Sequence, residues 1–228
     1  MFFFGDITGM LILIPAMLLA FYAQSKVKSA YNNWSRVQAA SGLSGAHVAR
    51  RLLDRAGLNH VRIELSRGHL TDHYDPRNQT VRLSQEVYSG RSIASVAIAA
   101  HEVGHAVQHG TGYFALSLRN NFFPVARFGS SLAMPLFLVG FLFNGPLLMD
   151  LGILFFVFAV FFQVITLPVE FNASSRAIEL LHENNLVVGQ EEGRIRSVLN
   201  AAALTYVAAT AVALSQLLRL LLLRGRRR

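Results

Sequence analysis

The sequence predicts a mainly α-helical membrane protein that carries a small β-hairpin. Of its 228 residues, 53% are hydrophobic and 15% are charged, a composition too apolar for an ordinary soluble domain. Four apolar blocks are each roughly 20 residues long, the length at which a helix crosses the hydrocarbon core of a bilayer. Between the first two blocks, short alternating segments flank a turn sequence, as the strands of a hairpin do.

The first apolar block, residues 2–23, is interpreted as a membrane-spanning helix. Asp6 lies near its start, no Lys or Arg precedes it, and Lys26 and Lys28 follow it. A cleaved secretory signal peptide has the opposite polarity, with its cations first. We therefore expect an anchor whose N-terminus lies outside the cytoplasm.

Residues 24–121 form a more polar region that predicts two helices and several strands. Ser44 is a suitable N-cap and Gly57 a suitable stop for a short amphipathic helix. A strand is expected over residues 61–65, followed by a β-hairpin over residues 69–84 with its turn at 75–78. A second helix is expected to start after Ser92 and to stop at Gly110.

The second and third apolar blocks, residues 122–143 and 147–169, predict a helical hairpin across the membrane, joined by a turn at Asn144-Gly145-Pro146. Arg119, Arg127 and Arg176 lie at its base and none lies at its tip, which places the base on the cytoplasmic side.

The remainder of the chain predicts a polar helix and a fourth span. Pro168 is expected to start a helix that reaches residue 184, and a loop then passes through Gly189 and Gly193. If the fourth apolar block, residues 201–223, spans the membrane, the arginine-rich tail lies outside, against the charge rule; the alternative is a helix that lies along the bilayer. The polar catalytic parts are then 24–121 and 170–200, in a single membrane-embedded domain covering residues 1–228.

The charge balance limits the partners. The net charge is +8, but the basic residues lie beside apolar blocks rather than among stacking aromatics. We therefore expect contacts with anionic lipid and no nucleic-acid partner. Because the chain has no cysteine, a metal would have to be held by His, Asp or Glu.

Residues 99–109 read AAHEVGHAVQH and contain the pattern His-Glu-x-x-His on a predicted helix. His101 and His105 are one turn apart on the same face, so their imidazoles can bind one zinc ion, and Glu102 beside them can serve as general base. In a chain with eight histidines the pattern can also arise by chance.

The third ligand is expected to be Glu170, because the hairpin returns the chain to the membrane face that it left near residue 121. His109 is a poor candidate, since it lies about 12 Å along the helix from His101. Gln108 and Thr111 occupy the places at which a metzincin would need Gly and His, which excludes that class. Weaker rivals lie deeper along the same helix as Glu170: Glu179, His182 and Glu183.

Three long motifs carry a resemblance to a known family: GHLTDHYDPRNQTVRLS, AAHEVGHAVQH and LPVEFNASSRA. In these segments the chain resembles the YugP-like membrane-bound neutral zinc metallopeptidases of bacteria, and more distantly the gluzincin peptidases of the HtpX and CAAX-prenyl type. The resemblance implies a zinc-dependent peptidase of the plasma membrane, with His101, His105 and Glu170 as ligands of one Zn²⁺ per chain and Glu102 as the base. Those enzymes usually have Asp four residues after the glutamate, where this chain has Ser174.

The expected function is therefore a zinc-dependent membrane endopeptidase whose catalytic side is cytoplasmic and whose substrates are peptides or unfolded membrane proteins. The hairpin could hold such a substrate at an exposed strand edge, or be purely structural. Two alternatives stay open: an intramembrane site-2-type protease with Asp150 as a ligand, and a membrane scaffold that binds zinc without catalysis.

Overall fold

A computed structural model describes residues 7–225, and over this range the fold is mainly α-helical, as predicted. Residues 2–6 of the predicted first span lie outside the described residues. The described elements, in chain order, are α1 (Ile7–Trp34), α2 (Gly45–Arg55), β1 (Arg62–Ser66), β2 (His73–Asp75), β3 (Thr80–Ser84), α3 (Gln85–Tyr88), α4 (Ile93–Gly110), α5 (Phe114–Leu142), α6 (Pro146–Glu183) and α7 (Glu191–Gly225).

The chain divides into two compact units. One unit contains the chain up to Gln24, Ser117–Pro168 and the chain from Thr205 onward; the other contains Ser25–Leu116 and Val169–Leu204. We refer to them as the apolar unit and the polar unit. The interpretation of residues 1–228 as a single domain stays a prediction.

Four of the described helices, α1, α5, α6 and α7, are long and apolar enough to cross a membrane, which confirms the predicted number of spans. Their bounds differ from the predicted blocks, because each helix continues into polar sequence. Helix α5 begins at Phe114 rather than at 122, and α7 begins at Glu191 rather than at 201, so Gly193 is helical and not part of a loop.

Within the apolar unit, α5 and α6 form the predicted hairpin and pack closely through glycines. A Cβ atom on Gly140 would lie 2.6 Å from the backbone nitrogen of Met149, and one on Gly152 would lie 2.6 Å from that of Phe137. Asn144 has a φ of 52° in the turn between the two helices, where the sequence predicted a turn. Small residues thus allow the two backbones to approach, as is common for helices in membranes.

The end of α7 is tied to the start of α6 by an ion pair in the apolar unit. Arg224 donates from Nε to Asp150 Oδ1 at 2.7 Å and from Nη2 to Asp150 Oδ2 at 3.0 Å. This two-point contact places the last turn of α7 beside the first turns of α6. Whether α7 spans the bilayer or lies along it stays a prediction.

Two helices of the polar unit, α2 and α4, begin at the N-cap residues that the sequence predicts. The hydroxyl of Ser44 accepts a hydrogen bond from the backbone N–H of His47 and that of Ser92 accepts one from Ser95, so both predicted N-caps are confirmed. Helix α4 is buried along most of its length, and it forms the centre of a hydrophobic core with α2, the sheet and the polar parts of α6 and α7.

The small sheet contains the predicted hairpin and the strand that the sequence predicted over residues 61–65, which is β1. Strand β2 pairs antiparallel with β3, with Tyr74 opposite Val81, but it begins at His73 rather than at residue 69. Strand β1 pairs parallel with the other side of β3, with Ile63 opposite Val81. The strand order is β1-β3-β2, so β2 is an edge strand.

The expectation that a helix starts at Pro168 is wrong, because α6 runs without interruption from Pro146 to Glu183. A proline inside a helix removes one backbone hydrogen bond, and in water this usually ends the helix. In a membrane helix, neighbouring helices and local hydroxyl groups can compensate for the lost bond. Glu170 therefore lies deep inside a long helix and not in a first turn.

Candidate metal centre

Helix α4 holds the two histidines of the His-Glu-x-x-His pattern on one face. The cap at Ser92 fixes where the helix begins, and the alanines and glycine on its length let neighbouring backbones approach. His101 and His105 follow one turn apart, and their ring centroids are 4.7 Å from each other. Both side chains are largely buried, which limits the orientations that their rings can adopt.

Helix α6 brings Glu170 to this pair. A Cβ atom on Gly104 would collide with the carbonyl oxygen of Ala173, so the backbones of α4 and α6 touch next to His105. Because Ala173 lies three residues after Glu170, the contact sets the carboxylate opposite the imidazoles. Glu170 Oε2 is 3.3 Å from His101 Nε2 and 3.7 Å from His105 Nε2.

These three side chains fit a zinc ion in both chemistry and spacing. One ligand atom from each of His101, His105 and Glu170 lies within 4.8 Å of the other two. Zinc binds imidazole nitrogen and carboxylate oxygen at about 2.0–2.2 Å, so neighbouring ligands of a tetrahedral ion are roughly 3.4 Å apart. The observed separations from Glu170 are close to this value. Three protein ligands also match the number found in catalytic zinc sites, which keep a fourth position for water.

Glu102 lies beside the cluster and is buried. Burial raises the pKa of Glu102 to about 7, and the nearby carboxylates of Glu170 and Asp72 act in the same direction. The charge of His101 and a hydrogen bond from the backbone N–H of Tyr74 oppose this rise in pKa. A carboxyl group with these neighbours can both accept and return a proton near neutral pH.

Each histidine has a hydrogen-bonding partner on the side away from Glu170. Ser174 Oγ is 3.2 Å from His101 Nδ1, so the serine that replaces the usual aspartate contacts the imidazole. Gln108 Oε1 is 3.0 Å from His105 Nδ1. In the sequence, Gln108 stands out only as a departure from the metzincin pattern. Its spacing of three residues from His105 was the available signal, since residues three apart are neighbours on a helix.

The other candidate ligands that the sequence offered lie away from this cluster or have other partners. His109 Nδ1 is 2.9 Å from the hydroxyl of Tyr74. Glu179, His182 and Glu183 line an open depression with α7 residues. Among the described residues, the His, Asp and Glu side chains whose ligand atoms converge in a group of three are His101, His105 and Glu170. Asp150 pairs with Arg224 in the apolar unit.

Strand β2 runs along the side of the cluster that carries Glu102. One edge of β2 is paired with β3, and the backbone of Tyr74 in this strand lies near enough to Glu102 to lower the pKa of its carboxyl group. Strand β2 is the edge strand of the sheet, and it is the strand that lies beside Glu102. This arrangement joins an unpaired strand edge, a buried carboxylate and a three-ligand cluster within the polar unit.

Comparison with known proteins agrees with this geometry. A family model described as "Putative neutral zinc metallopeptidase" matches residues 9–225. A protein of Bacillus subtilis (strain 168) named "Putative membrane protease YugP" is 53% identical over 210 residues, which cover 92% of this chain and 93% of that protein. No solved structure gives a significant match. With its His-His-Glu cluster and four apolar helices, the chain is a membrane protein that belongs to this neutral zinc metallopeptidase family.

Proposed function

We propose that the chain is a zinc-dependent membrane endopeptidase that holds one zinc ion per chain. The observation that carries the proposal is the convergence of His101, His105 and Glu170, from two helices, beside the buried carboxylate of Glu102. His101 and Glu170, the two ends of this cluster, lie 69 positions apart in the sequence. Such a convergence is hard to explain by packing alone, because buried ionisable groups are costly unless they are paired or bind a metal.

The reaction follows from where the groups lie. His101 and His105 would hold zinc through Nε2 and Glu170 through its carboxylate, and the bound ion would supply an acidified water and polarise the scissile carbonyl. Glu102 accepts the proton from the attacking water at its carboxylate. It then delivers that proton to the nitrogen of the leaving amine. Burial of Glu102 excludes bulk water that would compete for this proton.

The substrate would bind as an added strand. The unpaired edge of β2 offers backbone groups next to Glu102, and an extended peptide can pair with such an edge. Backbone pairing does not depend on the identity of the side chains, which suits a peptidase for unfolded or membrane-protein segments. We propose peptides and unfolded membrane proteins as substrates, together with the bilayer as a partner and no nucleic acid.

The proposed location is the plasma membrane, with the polar unit on the cytoplasmic side. Lys26 and Lys28 follow the first apolar segment, and Arg119 lies where α5 enters its apolar stretch. Cations near the membrane ends of spans favour the cytoplasmic side. The four apolar helices support membrane insertion independently of this charge argument.

The alternatives receive less support. A site-2-type protease would need Asp150 as a ligand, whereas both carboxylate oxygens of Asp150 accept hydrogen bonds from Arg224. A zinc-binding scaffold would close the ion with a fourth protein ligand. The cluster in the described residues consists of three candidate ligands. Glu102 lies beside them and is not one of the three.

The test compares wild type with Glu102→Gln, both purified in detergent. Zinc content and cleavage of an unfolded protein substrate are measured for each. We expect both proteins to bind about one zinc ion, and the variant to lose roughly 10²- to 10⁴-fold in cleavage rate, the usual contribution of a general base. Glu179→Gln, on the exposed face of α6, is the control and should behave as wild type.

Two results contradict the proposal. Equal cleavage by wild type and Glu102→Gln would remove Glu102 from the reaction. A wild-type protein that takes up no zinc under any loading condition would remove the metal from the site.

A further inference from the structure

Gln108 links the two ligand-bearing helices through a fully buried side chain. Its Nε2 donates to the carbonyl oxygen of Val169 at 2.8 Å and to Asn172 Oδ1 at 2.9 Å. Its Oε1 lies 3.0 Å from His105 Nδ1. The relative exposure of Gln108 is 0%, so water cannot replace any of these partners.

The partners of Gln108 determine which way its amide points. The carbonyl of Val169 can only accept, so the group that faces it must be the amide nitrogen of Gln108. Asn172 Oδ1 accepts a hydrogen bond of 2.8 Å from Arg176 Nε, and a guanidinium can only donate. Asn172 therefore presents an oxygen, which also requires a nitrogen from Gln108. Two independent acceptors thus fix the same orientation.

With both amide hydrogens donated, the oxygen of Gln108 is the atom that faces His105. An amide oxygen accepts, so the proton of neutral His105 must lie on Nδ1. The lone pair is then on Nε2, the atom that faces Glu170 at 3.7 Å and that a zinc ion would need. The chain of donors from Arg176 through Asn172 and Gln108 has one possible direction.

His101 has no comparable constraint from its partner. The Ser174 hydroxyl, 3.2 Å from His101 Nδ1, can either donate or accept, since it carries both a hydrogen and lone pairs. The two ligand imidazoles are therefore held unequally. One is fixed by an amide of defined direction, and the other is in contact with a rotatable hydroxyl.

We infer that Gln108 is a positioning residue that fixes the tautomer of His105 for metal binding, and that Asn172 and Arg176 fix the orientation of Gln108. The inference rests on the proposed zinc-binding function. It goes further by assigning a role to three side chains that are not ligands. Gln108 also contacts the backbone of Val169, next to Glu170, so the same side chain joins one ligand to the neighbour of another.

The first measurement uses the metal-free wild-type protein in detergent, labelled with ¹⁵N in histidine. It is made in alkaline buffer. The ¹⁵N shifts of His105, assigned with His105→Asn, should report a proton on Nδ1. A proton on Nε2 in the metal-free protein would overturn the inference, whatever the protein's activity.

The second measurement separates tautomer control from simple packing. Gln108→Met keeps the volume and loses all three contacts, whereas Gln108→Glu keeps an acceptor for His105 and loses both donations. We expect the Nδ1 proton to be retained in Gln108→Glu and lost in Gln108→Met. Zinc affinity, measured by competition with a chelator, should fall about 10- to 100-fold in Gln108→Met, the range found when an outer partner of a ligand is removed.

Ser174→Ala and Gln85→Met are the matched controls. Ser174→Ala should leave the His105 tautomer unchanged, and Gln85→Met alters an exposed glutamine whose side chain donates a hydrogen bond to Ser89. Unchanged zinc affinity and an unchanged tautomer in a folded Gln108→Met protein would overturn the inference. A wild type with the Nδ1 proton but no zinc uptake would instead contradict the proposed function and leave the tautomer assignment intact.

Discussion

The carbonyl oxygen of Ala173 occupies the space that a side chain at Gly104 would need. Gly104 directly precedes His105, and Ala173 lies one turn after Glu170. The two helices that carry the candidate ligands are therefore in backbone contact beside the ligands themselves. The separation between the carboxylate and the imidazoles depends on residue 104 having only a hydrogen at its α-carbon.

Gly104→Ala should weaken zinc binding without removing any ligand. The added methyl group pushes α6 away from α4, which separates Glu170 from His101 and His105. Overpacking of this kind costs about 1–3 kcal/mol of stability. Chelator competition should show weaker zinc binding, and thermal unfolding in detergent should show the loss of stability. Gly193→Ala, a helical glycine with no atom within 4 Å of its Cβ position, is the control and should keep wild-type affinity. Wild-type affinity in Gly104→Ala would show that the helices can separate without moving Glu170.

Glu170→Gln should reduce zinc affinity strongly, because a direct ligand becomes neutral and less basic. The loss should exceed the roughly 10- to 100-fold loss that follows when a group hydrogen-bonded to a ligand is removed. Glu179→Gln and Glu183→Gln, on the same helix, should have no such effect. Zinc content after dialysis against a weak chelator provides the measurement. If Glu179→Gln or Glu183→Gln loses zinc while Glu170→Gln retains it, the third ligand has been misassigned.

Gly152→Leu should destabilise the helical hairpin of the apolar unit. Its side chain would meet the backbone of Phe137 and the carbonyl oxygen of Ala133, so α5 and α6 must move apart. We expect a loss of about 1–3 kcal/mol, measured by unfolding in mixed detergent and denaturant. Gly145→Ala is the control, because its Cβ would make ordinary contacts, 3.6 Å from Leu148 and 3.7 Å from the α-carbon of Gly140. Equal stability of Gly152→Leu and wild type would mean that the hairpin does not depend on close backbone packing.

The sheet should lose stability in acid through Asp75. The Arg82 guanidinium, 2.7 Å from Asp75 Oδ2, holds the pKa of that carboxyl well below its usual range, and hydrogen bonds from Asn78 and Arg77 lower the pKa further. Because the folded-state pKa is depressed, the contribution to stability is fully present above the unfolded value of ~3.9 and is lost as the pH falls toward the folded value.

This pH dependence can be measured as the difference in unfolding midpoint between wild type and Asp75→Asn. The difference should be constant above about pH 5 and should shrink as the pH is lowered through 4. In an Arg82→Gln background, the Asp75→Asn change should have a smaller effect, since the main cause of the shift is gone. A difference that grows in acid would contradict the assigned direction.

Features that depend on local sequence could be predicted. Ser44 and Ser92 cap their helices through hydroxyl groups that accept from the N–H groups of His47 and Ser95. The donor and the acceptor lie within four residues of sequence, so the cap can be predicted locally. The His101 and His105 pair follows equally from helical spacing. The approach of Glu170 was expected from the hairpin topology, which needs only that two neighbouring spans be antiparallel.

Features that depend on distant partners could not be predicted. In the parallel pairing of β1 with β3, Ile63 lies opposite Val81. The sequences of the two strands do not specify this partner or this register. Pro168 predicts a helix start only under the rule for proline that holds for helices in water, and α6 is a candidate membrane helix. The role of Gln108 depends on acceptors 61 and 64 positions away, which only the folded chain brings to it.

Strand β2 consists of three residues, and this brevity has a consequence for selectivity. At about 3.4 Å per residue, a chain docked along it needs to be straight for only ~10 Å. A docking edge this short contributes few backbone bonds and makes no demand on composition. The docked segment must be flexible enough to become extended over three residues. A segment held in a tight loop or in a helix does not meet this requirement. If the proposed function holds, the protein would therefore select substrates by local flexibility of the backbone and not by a sequence motif.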